Sequence, residues 1–202
     1  MFIDLSVSLN EKTPIYPGDP ETKITLAGTH EQSGYQDHYV CMGTHVGTHM
    51  DAPSHMIAGA RNLNQFGLER FSGRGVHIPV SREFDLASLK QIDLHEGDIV
   101  FFETGLSQKY YSPEYFSEYP AMTEEIAQYL IDSKVSIVGV DTCSVDNQEG
   151  FAIHKKLLGA DVLIIENLTN LHALEGNEFK VYAYPVKFEI DGAPVRVVAE
   201  TL

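Results

Sequence analysis

The segment HVGTHMDAPSH covers residues 45–55. It holds four potential metal ligands within eleven positions: His45, His49, Asp51 and His55. Neutral imidazoles and carboxylates are the groups with which proteins bind borderline divalent metals such as zinc. Gly47 lies between the first two histidines, and because it has no Cβ the backbone can bend there. The segment therefore predicts a metal site in preference to a surface loop that is merely rich in histidine.

The conformation of this segment is limited by the reach of its side chains. All four potential ligands are at odd positions, so an extended chain would place them on one face. In a straight strand, however, residues four apart are separated by about 13 Å, whereas nitrogens that share a metal each lie about 2.1 Å from it. Gly47 and Pro53 disfavour a regular helix. We therefore expect a bent strand end, or a loop that contains one helical turn.

Length and composition are those of a globular protein. The 202 residues, 43% hydrophobic and 21% charged, can bury one substantial core, and we expect one domain over residues 1–202. No basic segment followed by an apolar run stands at the start, and no apolar stretch is long enough to span a bilayer. We therefore expect a cytoplasmic protein.

The charge balance bears on the possible partners. Lys and Arg number 14 against 29 Asp and Glu, which gives a formal net charge of -15. Such a surface repels phosphate backbones and anionic lipids, so we expect neither nucleic acid nor membrane as a partner, and a small molecule as the ligand. Cys41 and Cys143 are too few for a disulfide framework and are expected to be reduced.

The rest of the chain alternates short strands with a few helices. Apolar alternation and continuous apolar runs predict strands over 2–7, 22–27, 38–42, 75–80, 98–104, 135–141, 161–166, 179–190 and 195–200. Helices are predicted over 85–92, after an N-cap at Thr123, and over 151–159, where Gly159 ends the helix. Residues 30–36 have loop composition, and 106–120 resemble a surface excursion. This order predicts an α+β (mixed α/β) fold, rich in strands.

Further candidates lie away from the histidine-rich segment. Glu166 ends the apolar run VLIIE, where a carboxylate is costly to bury unless it is paired, protonated or bound to a metal, but it could equally reach solvent. His154 lies on the predicted helix 151–159. Asp141 ends another predicted buried strand, where it could orient a histidine or close a loop, and Ser144 could contact substrate or water.

The pattern H-x-G-T-H-x-D-x-P-x-H of residues 45–55 resembles the signature of the metal-dependent cyclase/hydrolase family, which includes bacterial kynurenine formamidase and isatin hydrolase. Other segments follow the order of that family along nearly the whole chain: IDLS near the start, YPGDP (16–20), TG (104–105), GVDTCSVD (139–146), IIENL (164–168) and GAPVRVVA (192–199). The resemblance implies a swivelling β/β/α domain that forms a homodimer or homotetramer.

The resemblance also assigns roles. His45, His49 and Asp51 would bind one metal ion, and Asp51 would bridge to a second ion held also by two distal residues, His154 and Glu166. His55 would be the catalytic acid/base. Zinc is the expected metal, with manganese as the alternative, and one or two ions per chain.

The implied activity is hydrolysis of the amide bond of an aryl formamide such as N-formylkynurenine by metal-activated water. Alternatives on the same scaffold are a hydrolase of cyclic amides or esters and a cyclase or dehydratase. A non-catalytic metal-binding protein is a third possibility, although it would not need an acid/base at His55. The formamidases carry Trp before P-G-D, where this chain has Tyr16 and no Trp at all. Tyrosine can also stack on an aryl ring, so Tyr16 is the candidate substrate-binding residue.

Overall fold

The computed structural model describes residues 1–202. It contains ten strands: β1 (Phe2–Asp4), β2 (Lys23–Gly28), β3 (Asp37–Cys41), β4 (His49–Asp51), β5 (Ser72–Pro79), β6 (Ile99–Glu103), β7 (Ile137–Val140), β8 (Leu163–Glu166), β9 (Phe179–Pro185) and β10 (Gly192–Thr201). The four α-helices are short: α1 (His30–Ser33), α2 (Leu86–Leu89), α3 (Glu124–Asp132) and α4 (Ala152–Gly159). None of them is long and apolar enough to cross a membrane.

Eight strands form one sheet, in the order β1-β10-β4-β8-β7-β6-β5-β9. Strand β10 also pairs with β9, so seven of these strands close into a ring and β1 is attached to β10. Strands β5 to β8 run parallel to one another. In this ring β4 lies between β8 and β10 and is antiparallel to both.

Alternate residues of the ring strands face two different hydrophobic cores. Ile99 and Phe101 of β6 belong to a cluster built from six of the seven ring strands. Val100 and Phe102 belong to a second cluster, which contains residues of α3 and α4. Because both faces of β6 are covered, its sequence is continuously apolar rather than alternating.

The predicted strand-rich, mixed α/β fold is confirmed, with two corrections. Residues 30–36 were expected to be a loop but include α1, whose first turn is capped by the Thr29 side chain and which ends at Gly34 in the left-handed conformation. The predicted surface excursion over 106–120 is partly wrong, because Tyr115 is completely buried. Its hydroxyl donates a hydrogen bond to Asn167 Oδ1 at 2.8 Å.

Strands β2 and β3 form a separate two-stranded sheet. Every residue of β3 is exposed, and only one residue of β2 is buried. The exposed apolar side chains of this hairpin include Leu26, Tyr39 and Val40. Neither of the two cores contains a residue of this hairpin.

Candidate metal centre

The histidine-rich segment contains a bend, a short strand and one helical turn. Gly47 has a φ of 66°, a left-handed conformation that suits glycine. Strand β4 follows, and a single 3₁₀ turn over Pro53–His55 comes next. The two expected alternatives, a bent strand end and a loop with one helical turn, are therefore both present: the bend precedes β4 and the turn follows it.

The neighbours of β4 bring distant residues to this segment. His49 is directly opposite Glu166 of β8, and its Nε2 atom lies 3.5 Å from Glu166 Oε2. Both side chains are buried. The alternative that Glu166 reaches solvent at the end of its strand is therefore excluded.

Helix α4 supplies the other distal histidine. His154 Nε2 lies 3.0 Å from Glu166 Oε1 and 3.7 Å from Asp51 Oδ2. His154 and Asp51 are both buried. The sheet and the helix thus bring together the five residues that the resemblance marked as ligands.

These five residues form two groups that share Asp51. One group is His45, His49 and Asp51, and the other is Asp51, His154 and Glu166; within each group the potential ligand atoms lie within 4.8 Å of one another. Asp51 Oδ2 is buried and has no hydrogen-bond partner. A buried carboxylate oxygen without a partner is costly unless a cation binds it. The donor set and this unpartnered oxygen fit one or two divalent ions.

Two of the histidines are oriented by contacts on the side away from the cluster. His49 Nδ1 lies 2.8 Å from the Gly47 carbonyl oxygen, and His154 Nδ1 lies 2.7 Å from Asp146 Oδ2. Each contact places the ring proton on Nδ1, so that Nε2 keeps its lone pair for a metal. Asp146 also accepts the backbone N–H groups of Ile153 and His154 at the start of α4.

Sequence analysis missed Asp146, Asn167 and Asp191. Asn167 donates through Nδ2 to the Gly47 carbonyl oxygen at 3.0 Å, and so supports the bend. Asp191 Oδ2 lies 3.0 Å from His45 Nε2 and 3.3 Å from His55 Nδ1. Aspartate and asparagine are common in turns, so nothing local distinguished these residues from ordinary turn formers.

The protonation of the metal-free site is set by its buried carboxylates. Burial lowers the pKa of His45, but hydrogen bonds and charge from Asp51 and Asp191 outweigh it and raise that pKa to about 9. The pKa values of His49 and His154 are raised in the same way, against the effect of burial, by the carboxylates beside them. Protons therefore occupy the cluster when no metal does.

His55 behaves differently. Burial lowers its pKa below the ordinary value, and the opposing effect of Asp51 does not restore it. At neutral pH this imidazole is therefore uncharged and can accept a proton.

Asp141 and Ser144 have more distant roles. The Asp141 carboxylate accepts hydrogen bonds from the backbone N–H groups of Thr104 and Gly105 and from the Thr104 hydroxyl, all within 2.8 Å. Of the two roles considered for Asp141, orienting a histidine or closing a loop, these contacts match the second. Ser144 lines the cavity described next, and its Oγ accepts the Asp146 N–H.

The cluster opens into a cavity of about 440 Å³. The polar part of its wall includes His45, His49, His55, His154 and Glu166. The apolar part includes Met56, Phe116, Phe151 and Tyr16, the residue predicted to contact substrate. The rings of Tyr16 and Phe116 pack edge to face, with their centroids 6.2 Å apart.

The chain is thus a mixed α/β protein in which a closed ring of strands carries a candidate metal site at a partly aromatic cavity. Residues 3–147 match the model of the Cyclase family. The chain belongs to this family, as the sequence pattern predicted.

Two relatives align over almost the whole chain. An uncharacterised protein of Methanocaldococcus jannaschii is 34% identical over 186 residues, 91% of each chain. The kynurenine formamidase of Bacillus cytotoxicus is 30% identical and covers 100% of this chain and 98% of its own.

Solved structures are similar over the same extent. A potential metal-dependent hydrolase with cyclase activity is 29% identical, with a TM-score of 0.81 over 98% of this chain and 96% of its own. Isatin hydrolase A of Labrenzia aggregata has a TM-score of 0.88 at 23% identity and covers 98% of this chain and 93% of its own. The second likeness concerns the fold alone, and it agrees with the family fold that the sequence pattern implied.

Proposed function

We propose that the chain is a metal-dependent hydrolase that cleaves the amide bond of a small aryl amide. The observation that carries this proposal is the arrangement of the cavity, where two groups of candidate ligands sharing Asp51 face aromatic side chains. Membership of the Cyclase family, and a kynurenine formamidase among the relatives, support the same reaction class.

The metal would be held by the five clustered residues: His45, His49, Asp51, His154 and Glu166. A divalent ion bound there lowers the pKa of water and polarises a carbonyl group. Zinc suits this set of nitrogen and oxygen donors, and manganese accepts the same donors. Four of these side chains are buried, all but His45, and His49 and His154 are already oriented by hydrogen bonds, so the set would bind the ion with little rearrangement.

His55 would move the proton. Its ring lines the cavity. Because His55 Nδ1 is hydrogen-bonded to Asp191, Nε2 is the nitrogen available to the reactants. In its neutral form, this nitrogen can take a proton from the attacking water and pass it to the leaving nitrogen of the amide. Water is consumed, the C–N bond breaks, and a carboxylic acid and a free amine leave.

Aromatic residues would select the substrate. Tyr16, Phe116 and Phe151 stand on the apolar part of the wall, where an aryl ring can stack against them or meet their edges. N-formylkynurenine presents such a ring beside a formamide and is the first substrate to test. Its hydrolysis gives formate and the free arylamine.

A cyclic aryl amide such as isatin is the second candidate. None of the 17 residues that line the cavity is Lys or Arg. With the cluster histidines neutral in the metal-loaded protein, a substrate with a free carboxylate, such as N-formylkynurenine, would therefore find no lysine or arginine in this chain's cavity to pair with. Isatin has no charge to pair, and ring opening breaks the same kind of C–N bond.

The test is turnover by protein stripped of metal with a chelator, before and after zinc or manganese is restored. Metal-restored hydrolysis of N-formylkynurenine supports the formamidase, and preferential hydrolysis of isatin supports the cyclic-amide alternative. If metal binds stoichiometrically but neither substrate nor a panel of aryl formamides, lactams and lactones reacts, the hydrolase proposal is wrong.

We also propose that the protein self-associates through the hairpin β2–β3. Its apolar side chains Leu26, Tyr39 and Val40 are more than half exposed in the isolated chain. Leu26 pairs with His38, so it lies on the same face of the hairpin as Val40, whereas Tyr39 lies on the other face. Exposed apolar groups that share one surface, as Leu26 and Val40 do, commonly mark protein contacts. A homodimer or homotetramer would bury them.

A further inference from the structure

The carboxylate of Asp191 contacts two of the four clustered histidines through one oxygen. Oδ2 lies 3.0 Å from His45 Nε2 and 3.3 Å from His55 Nδ1. We propose that Asp191 is a positioning residue that holds His45 and His55 in the ring orientations needed for metal binding and proton transfer. The part that concerns proton transfer rests on the proposed hydrolase function, whereas the part that concerns the metal does not.

The backbone around Asp191 is anchored to the segment that carries the histidines. Gly192 pairs with Asp51 across the β4–β10 ladder. The Asp191 carbonyl oxygen accepts the Ala52 N–H at 2.8 Å, and the Ile190 carbonyl oxygen accepts the Leu63 N–H. The side chain of Asp191 is 38% exposed, but its backbone is held in place by these hydrogen bonds before and after it. The carboxylate is therefore less mobile than that of an aspartate at the tip of a free loop.

Gly192 provides a second, independent contact with His45. A Cβ at position 192 would lie 2.5 Å from Cε1 and 2.9 Å from Nε2 of the His45 ring. Only glycine lets the imidazole pack this closely against the backbone at Asp191 and Gly192, the corner at the start of β10. The Asp191–Gly192 pair therefore positions His45 both by shape and by hydrogen bonding.

The consequence for the two histidines is a fixed tautomer. His45 Nδ1 lies 2.7 Å from Asp51 Oδ1 and faces the cluster. If a metal ion took the place of the Nδ1 proton, Asp191 would keep the remaining proton on Nε2. When it accepts the Nδ1–H of His55, the lone pair remains on Nε2. The two rings lie 3.9 Å apart between centroids, so a shift of either ring disturbs the other.

The experiment compares zinc-loaded wild type with Asp191→Ala, Asp191→Asn and Glu189→Gln. Asp191→Ala removes the acceptor, Asp191→Asn keeps an acceptor oxygen in the same place, and Glu189→Gln removes a charge from the same loop. Three quantities are measured: the His55 tautomer from ¹⁵N–¹H spectra, the zinc affinity by competition with a chelator, and kcat and KM on the substrate that wild type hydrolyses.

We expect wild type to carry the His55 proton on Nδ1 and Asp191→Ala to lose that preference. Zinc affinity and kcat should each fall by about 10- to 100-fold in Asp191→Ala, as for other residues that orient metal ligands, while KM changes less than twofold. Asp191→Asn should recover the tautomer and part of kcat, and Glu189→Gln should match wild type.

The proposal is wrong if Asp191→Ala keeps the Nδ1–H tautomer and binds zinc like wild type, or if Glu189→Gln shows equal losses. If wild type hydrolyses no substrate, the hydrolase function fails. The tautomer and zinc affinity then decide the role of Asp191 alone.

Discussion

Gly192 lies so close to His45 that a Cβ on the glycine would be 2.5 Å from the imidazole ring. We expect Gly192→Ala to displace the ring and weaken metal binding by at least about tenfold, because correct placement of a ligand is worth that much. Gly43→Ala is the matched control, since its added Cβ would meet only Val46 Cγ2 at an ordinary 3.5 Å. Chelator competition measures both variants, and equal affinities would contradict the close packing.

Asp146 combines a cap and a histidine contact, and the two effects can be separated. Asp146→Ala should cost about 1 kcal/mol of folding free energy through the lost cap and also weaken metal binding about 10- to 100-fold through the lost His154 contact. Asp85→Ala is the control, because Asp85 caps α2 through Ala87 and Ser88 without touching the cluster. Denaturant unfolding measures the stability of each variant, and metal titration measures its metal affinity. A loss of stability without a loss of affinity in Asp146→Ala would contradict the role of Asp146 in orienting His154.

His49 and His55 should differ in what their removal abolishes. His49→Ala removes a buried candidate ligand, so bound metal and turnover should both be lost. His55→Ala should keep stoichiometric metal and lose turnover by about 10²- to 10⁴-fold, the usual contribution of a general acid/base. Metal analysis and kinetics measure both, with His95→Ala as a control at an exposed ion pair. Equal loss of metal in both variants would identify His55 as a ligand.

The pKa of His45 gives a prediction for pH. It is raised from 6.5 to about 9 in the metal-free protein, so at pH 7.5 this histidine must lose a proton to bind a metal. We expect proton release on zinc binding and an affinity that rises with pH up to about 9. Calorimetry in buffers of different ionisation enthalpy measures the released protons, and their absence would contradict the displacement of protons from the clustered histidines by the metal.

The raised pKa of His45 also affects the folding stability of the metal-free protein, which should fall with rising pH while the metal affinity rises. The stabilisation by protonated His45 is fully present below pH 6.5 and is lost as pH rises through about 9. Its size is on the order of 3 kcal/mol. Unfolding free energies of chelator-treated protein should fall across this window, and a flat profile would contradict the shift.

Self-association through the hairpin predicts a selective disruption. Val40→Glu should convert the oligomer to monomer, because it introduces a charge into the face of the hairpin that carries Leu26 and Val40. Val186→Glu is the control, since Val40 and Val186 are 51% and 49% exposed but Val186 lies outside the hairpin. Sedimentation velocity measures the outcome, and monomeric wild type, or equal behaviour of the two variants, would contradict the proposal.

Local signals in the sequence were sufficient for most of the fold. The continuous apolar runs of β6 and β7 and the N-cap at Thr123 each predict their element from neighbouring residues alone. Even α1 had its signals, a capping residue at Thr29 and a glycine at Gly34, within a stretch too short and polar to suggest a helix. Ring closure, by contrast, depends on the pairing of β10 with β4 and of β9 with β5, strands far apart in the chain, which no local pattern encodes.

The candidate site divides along the same line. Spacing within residues 45–55 predicted the near ligands. His154 and Glu166 were candidates from their positions in the sequence, and the resemblance implied that they too are ligands. Asp146 and Asp191 were missed because each lies in a stretch that turn formation already explains. Their roles depend on partners eight and 146 positions away, respectively.

The order of synthesis is constrained by the position of β4 in the ring. This strand is an early element of the chain, yet one of its two partners is β10, the last strand. While the chain is still growing, one edge of β4 is unpaired and the corner at Asp191 does not exist. A metal ion would therefore meet the complete cluster, with Asp191 beside His45, only after β10 has paired with β4.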